Sequence, residues 1–170
     1  MKRFPISKIL PAALLATVAL GLSACGFTPL YGPQSVTKGL SSIEVVAPSG
    51  RAGYLVREKL DDAFARDPNI LPSHRLLYTV KEVRYARGVR VDNVANRYEL
   101  NLSANWRLVE VKTGKVVRSG YTSAAVTYDS TDQPYAYIAA QEDSQERAAT
   151  ELARRIQMEL ATWIAGKAKA

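Results

Sequence analysis

Residues 98–108 read Tyr-Glu-Leu-Asn-Leu-Ser-Ala-Asn-Trp-Arg-Leu, an alternation without a break. Tyr98, Leu100, Leu102, Ala104, Trp106 and Leu108 share one face, and Glu99, Asn101, Ser103, Asn105 and Arg107 share the other. Period two suits a strand and no helix. The difference in polarity means that one face lies on a core and the other does not, as in an antiparallel sheet. Such a strand cannot stand alone, because it needs neighbours along its edges and a layer over its apolar face.

The flanking sequence supplies both. Leu76 to Arg87 alternates too, but its phase slips between Val80 and Val83, which predicts a bulge near Lys81-Glu82. Thr113-Gly114 makes a tight turn into a third strand, Val116 to Thr127. Ser42 to Ala47 is a short strand closed by Pro48. Ser49 is a candidate N-cap for a helix over Arg51 to Arg66, whose apolar side holds Val56, Leu60, Ala63 and Phe64; Asp67-Pro68 stops it. A long helix follows from Tyr135 to Ala165, with Ala149, Leu152, Ile156, Leu160, Trp163 and Ile164 inward and Gly166 as C-cap. The order β-α-β-β-β-α predicts an α+β fold: a two-layer sandwich with a four-stranded sheet and two helices on one face. A chain of 170 residues, 47% of them hydrophobic, can fill one such core.

The amino terminus has a different logic. Lys2, Arg3 and Lys8 precede Ile9 to Leu22, an uncharged and mostly apolar stretch of 14 residues. As a helix it reaches about 21 Å, short of a bilayer core of about 30 Å but suited to a signal peptide. Leu22-Ser23-Ala24-Cys25 follows and resembles a bacterial lipobox, whose cysteine is acylated and becomes the mature amino terminus. Cys25 is the only cysteine, so no disulfide framework is available, and lipidation accounts for an unpaired thiol. An ordinary secretory peptide with a chance cysteine is the plainer alternative. The residue after Cys25 is Gly26; in the sorting pattern this resembles, Asp there favours inner-membrane retention, so Gly26 points to the outer membrane. Residues 1–24 thus read as a signal peptide, 25–40 as acylated terminus and tether, and 41–170 as a single periplasmic domain.

Catalytic chemistry finds little support. His74 is the only histidine and follows Pro72-Ser73 in a loop signal. Asp61 and Asp62 point about 100° apart on a helix and cannot work as an acid/base pair. No phosphate loop, HExxH or GxSxG is present. No cofactor and no metal are expected.

Charge is more informative. From Arg75 to Arg118 there are ten Lys or Arg against four acids. Arg84, Arg87, Arg90 and Arg97 are expected around the turn between the second and third strands, with Lys112 and Lys115 flanking the next turn at the other end. Two readings stay open. These residues solvate the sheet and protect its edges, or they form an anion-binding surface. In the periplasm nucleic acid is excluded, and lipopolysaccharide (LPS) is the multivalent anion at hand, whose phosphates suit arginine forks.

The start Cys25-Gly26-Phe27-Thr28-Pro29-Leu30-Tyr31-Gly32 resembles that of the LPS-assembly lipoproteins, the LptE (RlpB) family. The inferred element order is similar to that family's as well. The resemblance implies a non-enzymatic outer-membrane lipoprotein that plugs the LPS-translocating β-barrel, the LptD protein, aids its assembly and binds LPS. Cys25 carries over as the lipidated residue. Contact positions rest on local inference: Asn101, Asn105, Arg107 and Arg118 for the barrel, and Arg84, Arg87, Arg90, Arg97, Lys112 and Lys115 for LPS. An auxiliary lipoprotein of a lipid-transporting ABC system is the alternative, and an envelope enzyme with an unseen site is a second.

Overall fold

The alternating segment becomes the strand on which the rest is built. The computed structural model describes residues 34–89, 95–130 and 133–168; Cys25, the tether up to Pro33 and Arg90 lie outside them. In chain order the elements are α1 (Gln34–Ser41), β1 (Ile43–Val46), α2 (Arg51–Phe64), β2 (His74–Val89), β3 (Ala95–Glu110), β4 (Val116–Asp129) and α3 (Pro134–Lys167). The strands form one mixed sheet in the order β1-β2-β3-β4. β1 runs parallel to β2 over four residue pairs, while β2–β3 and β3–β4 are long antiparallel pairings.

The α+β class and the four-stranded sheet agree with the sequence reading, with one helix more than expected. Gln34–Ser41 is helical and sends Val36 and Leu40 into the core, so the segment up to Leu40 is not all tether. Ser49 does not cap α2; Gly50 occupies that position and makes no side-chain cap. Gly166 lies inside α3, which is capped at Ala168. His74 opens β2 rather than sitting in a loop, opposite Ile43 and Glu110.

The expected bulge at Lys81-Glu82 is absent. The β2–β3 register runs unbroken from His74↔Glu110 to Ala86↔Tyr98 and shifts only around Gly88. The change of phase lies in the chemistry, not the backbone. Glu82 and Arg84 continue the inward row of Leu76, Tyr78 and Val80 at the end of the sheet where polar partners wait. Gln145 of α3 donates to both Glu82 carboxylate oxygens at 3.0 and 3.1 Å.

The inward faces of β2, β3 and β4 join all three helices in one apolar core. Trp106 lies at its centre, 1% exposed. Its Nε1–H donates to Thr122 Oγ1 at 2.9 Å, and that hydroxyl donates to Glu159 Oε1 at 2.8 Å, so the indole is both buried and satisfied. Gly120 stands opposite Trp106 on β4, where a Cβ would come within 2.5 Å of the ring. The Tyr78 hydroxyl donates to Gly53 O at 2.9 Å and ties α2 to the sheet.

Candidate functional site

All three helices pack on one side of the sheet, which leaves its other face without cover among the described residues. The uncovered face is built by period two. β3 contributes Glu99, Asn101, Ser103, Asn105 and Arg107; opposite them β4 sets Thr127, Ala125, Ser123, Tyr121 and Ser119. β2 adds Leu77, Thr79, Lys81, Val83 and Tyr85 across from the same residues. The surface is thus mixed, with amides, hydroxyls and aromatic edges rather than a row of ions. A hollow of about 460 Å³ opens on it, lined by Leu77, Thr79, Asn105, Arg107, Ser119 and Tyr121. It offers hydrogen-bond donors and acceptors over a broad area and no convergent acid, base or nucleophile, which suits recognition rather than bond making.

Three of the four positions singled out for barrel contact come together there: Asn101, Asn105 and Arg107. Arg118 does not join them. It stands opposite Leu108, whose side chain is in the core, so it belongs to the helix side of the sheet at its exposed margin.

The basic residues divide into two groups with different electrostatics. Arg84, Arg87 and Arg97 gather where β2 meets β3, and Arg90 lies outside the described residues. Arg87 grips Glu99 with two hydrogen bonds, Nε at 3.0 Å and Nη2 at 2.9 Å. That fork holds the Glu99 carboxyl below the usual carboxylate range and raises the Arg87 guanidinium in turn. Arg97 Nε bonds Asp129 Oδ1 at 2.9 Å. Arg84 lies 3.8 Å from Glu82. It also faces the phenol of Tyr128, which burial pushes upward and which stacks on Tyr98 at 5.6 Å. A hollow of about 520 Å³ between Arg87, Asn96, Arg97 and Asp129 is therefore lined by ions already matched.

The other group is towards the opposite end of β3, where Arg107 lies ten residues and about 33 Å from Arg97. Lys112 and Lys115 are exposed on the β3–β4 turn, where Gly114 supplies the positive φ of 68°. Arg107 and Arg118 flank the same turn and are exposed as well. Among the described residues none of these four cations pairs with an acid. The positive surplus counted in the sequence thus becomes available charge at the β3–β4 end and ion pairs at the β2–β3 end.

His74 packs against the carboxyl-terminal part of α3. Burial lowers its pKa; its ring meets Trp163 edge-on at 6.0 Å, and Nδ1 lies 2.8 Å from Ser73 Oγ. Gly39, Ile43, Trp163, Ile164 and Lys167 complete a small apolar hollow there, with Lys167 Nζ 4.5 Å above the Trp163 ring. The described residues contain no group of three metal-ligating side chains, and none of their helices is long and apolar enough to cross a membrane. Glu99 and Asp129 matter as arginine partners and went unseen in the sequence, because only the strand register brings them to Arg87 and Arg97.

Comparison with known proteins agrees with this architecture. A family model described as LptE, lipopolysaccharide-assembly, matches residues 40–160. A solved structure of a Caulobacter crescentus CB15 protein, assigned as a lipoprotein, is 60% identical. It covers 78% of this chain and 96% of its own, with a TM-score of 0.69. The rare lipoprotein B of Shewanella oneidensis shares the fold at 16% identity, covering 73% of this chain and 95% of its own with a TM-score of 0.55. No curated protein matches.

Proposed function

Because this chain belongs to the LptE lipopolysaccharide-assembly family, we propose that it is a non-enzymatic outer-membrane lipoprotein, anchored through Cys25, that plugs the LptD-type barrel and helps deliver LPS through it. The observation that carries this reading is the uncovered sheet face. A face that meets only water has no need of a hollow walled by Leu77 and Tyr121, whereas a face against a polar barrel lumen gains from amides and hydroxyls at Asn101, Ser103 and Asn105. The described residues share one apolar core, which fits a domain that acts beside a conduit rather than as one.

LPS binding is assigned first to Lys112 and Lys115, with Arg107 and Arg118 beside them. Their charge is available, whereas a phosphate approaching Arg87 or Arg97 has to displace Glu99 or Asp129. Charge reversal at Lys112 and Lys115 should weaken LPS binding and flatten its salt dependence more than charge reversal at Arg84 and Arg97.

The partnership is tested by photo-crosslinkers placed one at a time in the full chain in outer membranes. Asn101 and Asn105 should capture a large β-barrel, and Tyr54 on the outer side of α2, 64% exposed, should not. Capture of only periplasmic or inner-membrane proteins by both face positions would remove the plug and favour the ABC auxiliary.

A further inference from the structure

β4 is the long open edge of the sheet, with β3 on one side and, among the described residues, no strand on the other. Its backbone parity is fixed twice over. Ser130 N–H donates to Asn96 O at 2.9 Å, so even-numbered residues bond towards β3 and odd-numbered ones turn N–H and C=O outward. Two outward carbonyls are occupied. Arg155 Nη1 of α3 donates to Ser123 O at 2.6 Å, and Arg147 Nη2 donates to Thr127 O at 3.5 Å.

The spacing makes this a matched device. Arg147 and Arg155 are eight helical residues apart, about 12 Å; Ser123 and Thr127 are four strand residues apart, about 13 Å. An acid one turn earlier braces each arginine. Asp143 Oδ2 accepts from Arg147 Nε at 2.8 Å, and Glu151 Oε1 accepts from Arg155 Nε at 2.7 Å. Glu159 continues the row and accepts from Thr122. Asp143, Arg147, Glu151, Arg155 and Glu159 therefore form an alternating-charge stripe with period four beside the edge.

The strand needs such a device. From Ser119 to Tyr128 it has ten residues with no charge and no proline, and half of them (Tyr121, Thr122, Val126, Thr127 and Tyr128) are good strand formers. Open edges are ordinarily blunted by a lysine or proline within the strand itself. We propose that Arg147 and Arg155 are gatekeepers that hold the β4 edge shut against antiparallel addition of a second copy of this chain. A second copy fits because the segment complements itself. Pairing centred on Ser123 sets Ser119 against Thr127 and Tyr121 against Ala125, and no like charges meet. The arginines do by hydrogen bonding from a neighbouring helix what the strand does not do for itself.

The test uses the full chain in its own membranes, with a photo-crosslinking residue at Tyr121, which is 61% exposed beside the open edge. The parent protein should give little self-crosslinked dimer. Arg147→Ala with Arg155→Ala should raise the dimer fraction about tenfold, as expected for losing charged hydrogen bonds that compete with strand addition. Adding Ala125→Pro removes an outward amide but no bond to β3, and should return the dimer to the parent level. If the double variant loses its protease resistance, Glu151→Gln decides, since it loosens the brace and leaves both arginines and the core intact; a smaller rise supports the proposal. An unchanged dimer level in a protease-resistant variant overturns it. So does a dimer that survives Ala125→Pro.

Discussion

Gly120→Ala tests how tightly the core is closed around Trp106. A Cβ at position 120 meets Cζ2 of the indole at 2.5 Å and Cε2 at 2.8 Å, against an ordinary carbon–carbon contact of about 3.5–4.0 Å. The ring must therefore move by roughly 1 Å, and it is 1% exposed with core on every side. Overpacking of this kind costs about 1–3 kcal/mol. The shift also pulls Nε1 from Thr122 Oγ1, now 2.9 Å away, and an orphaned buried donor costs about 1–3 kcal/mol more. The expected loss is about 2–6 kcal/mol, read as a lower urea midpoint at constant slope. Gly166→Ala is the control: its added methyl meets nothing within 4 Å inside a helix, and it should be neutral or stabilising by up to about 1 kcal/mol. A cycle isolates the cause, because Gly120→Ala in a Trp106→Leu background should cost under about 1 kcal/mol. If Gly120→Ala alone melts within about 0.5 kcal/mol of the parent, the picture of a fixed indole against β4 is wrong.

Leu102→Ala, fully on the core face, should destabilise by about 2–5 kcal/mol, while Asn105→Ala on the open face should cost under about 0.5 kcal/mol in the same melts. Arg154 and Arg155 hold the Glu151 carboxyl down from 4.5 to about 2, so an NMR titration should show it ionised almost to the end of the acid range, and Arg155→Ala should bring it back up. The sign follows from that direction: the carboxylate adds stability above its unfolded value, and the gain is lost as pH falls from 4.5 towards 2. Cys25→Ala should abolish fatty-acid labelling and leave an unprocessed or soluble form, as membrane fractionation would show.

What the sequence made legible is what periodicity controls. The inward and outward rows of β3 were assigned residue by residue, because a half-buried strand writes its two faces into alternate positions. The same rule misled on β2. Glu82 and Arg84 turn inward at the end of the sheet, so the hydrophobic phase slips although the pleat does not. α1 was missed because Gln-Ser-Val-Thr-Lys-Gly-Leu-Ser is poor in helix formers and only eight residues long. Its helix is held by packing, with Gly39 close enough that a Cβ would lie 3.0 Å from Ile164. Counting charges located the basic stretch but not its availability. Whether an arginine is free depends on which acid faces it across the ladder, and the register of a hairpin decides that. The polar face was legible; its separation from Arg118 needed the register shift between Leu108 and Val109.

The uneven pairing of the four strands has a mechanical side. β3 is flanked along nearly its whole length, whereas β1 holds to β2 through only four residue pairs. β1 also reaches the sheet across a long crossover, while the other three strands are joined by hairpins close in sequence. The meander should therefore form early, with α1 and β1 docking afterwards, and hydrogen exchange should find the slowest amides in the middle of β3. Residues 1–33 join the domain at α1, immediately before β1. A pull arriving along them loads α1 and the four-pair strand first. In a pulling experiment from the amino terminus those elements should therefore detach at lower force than the three-stranded meander, which should unfold last.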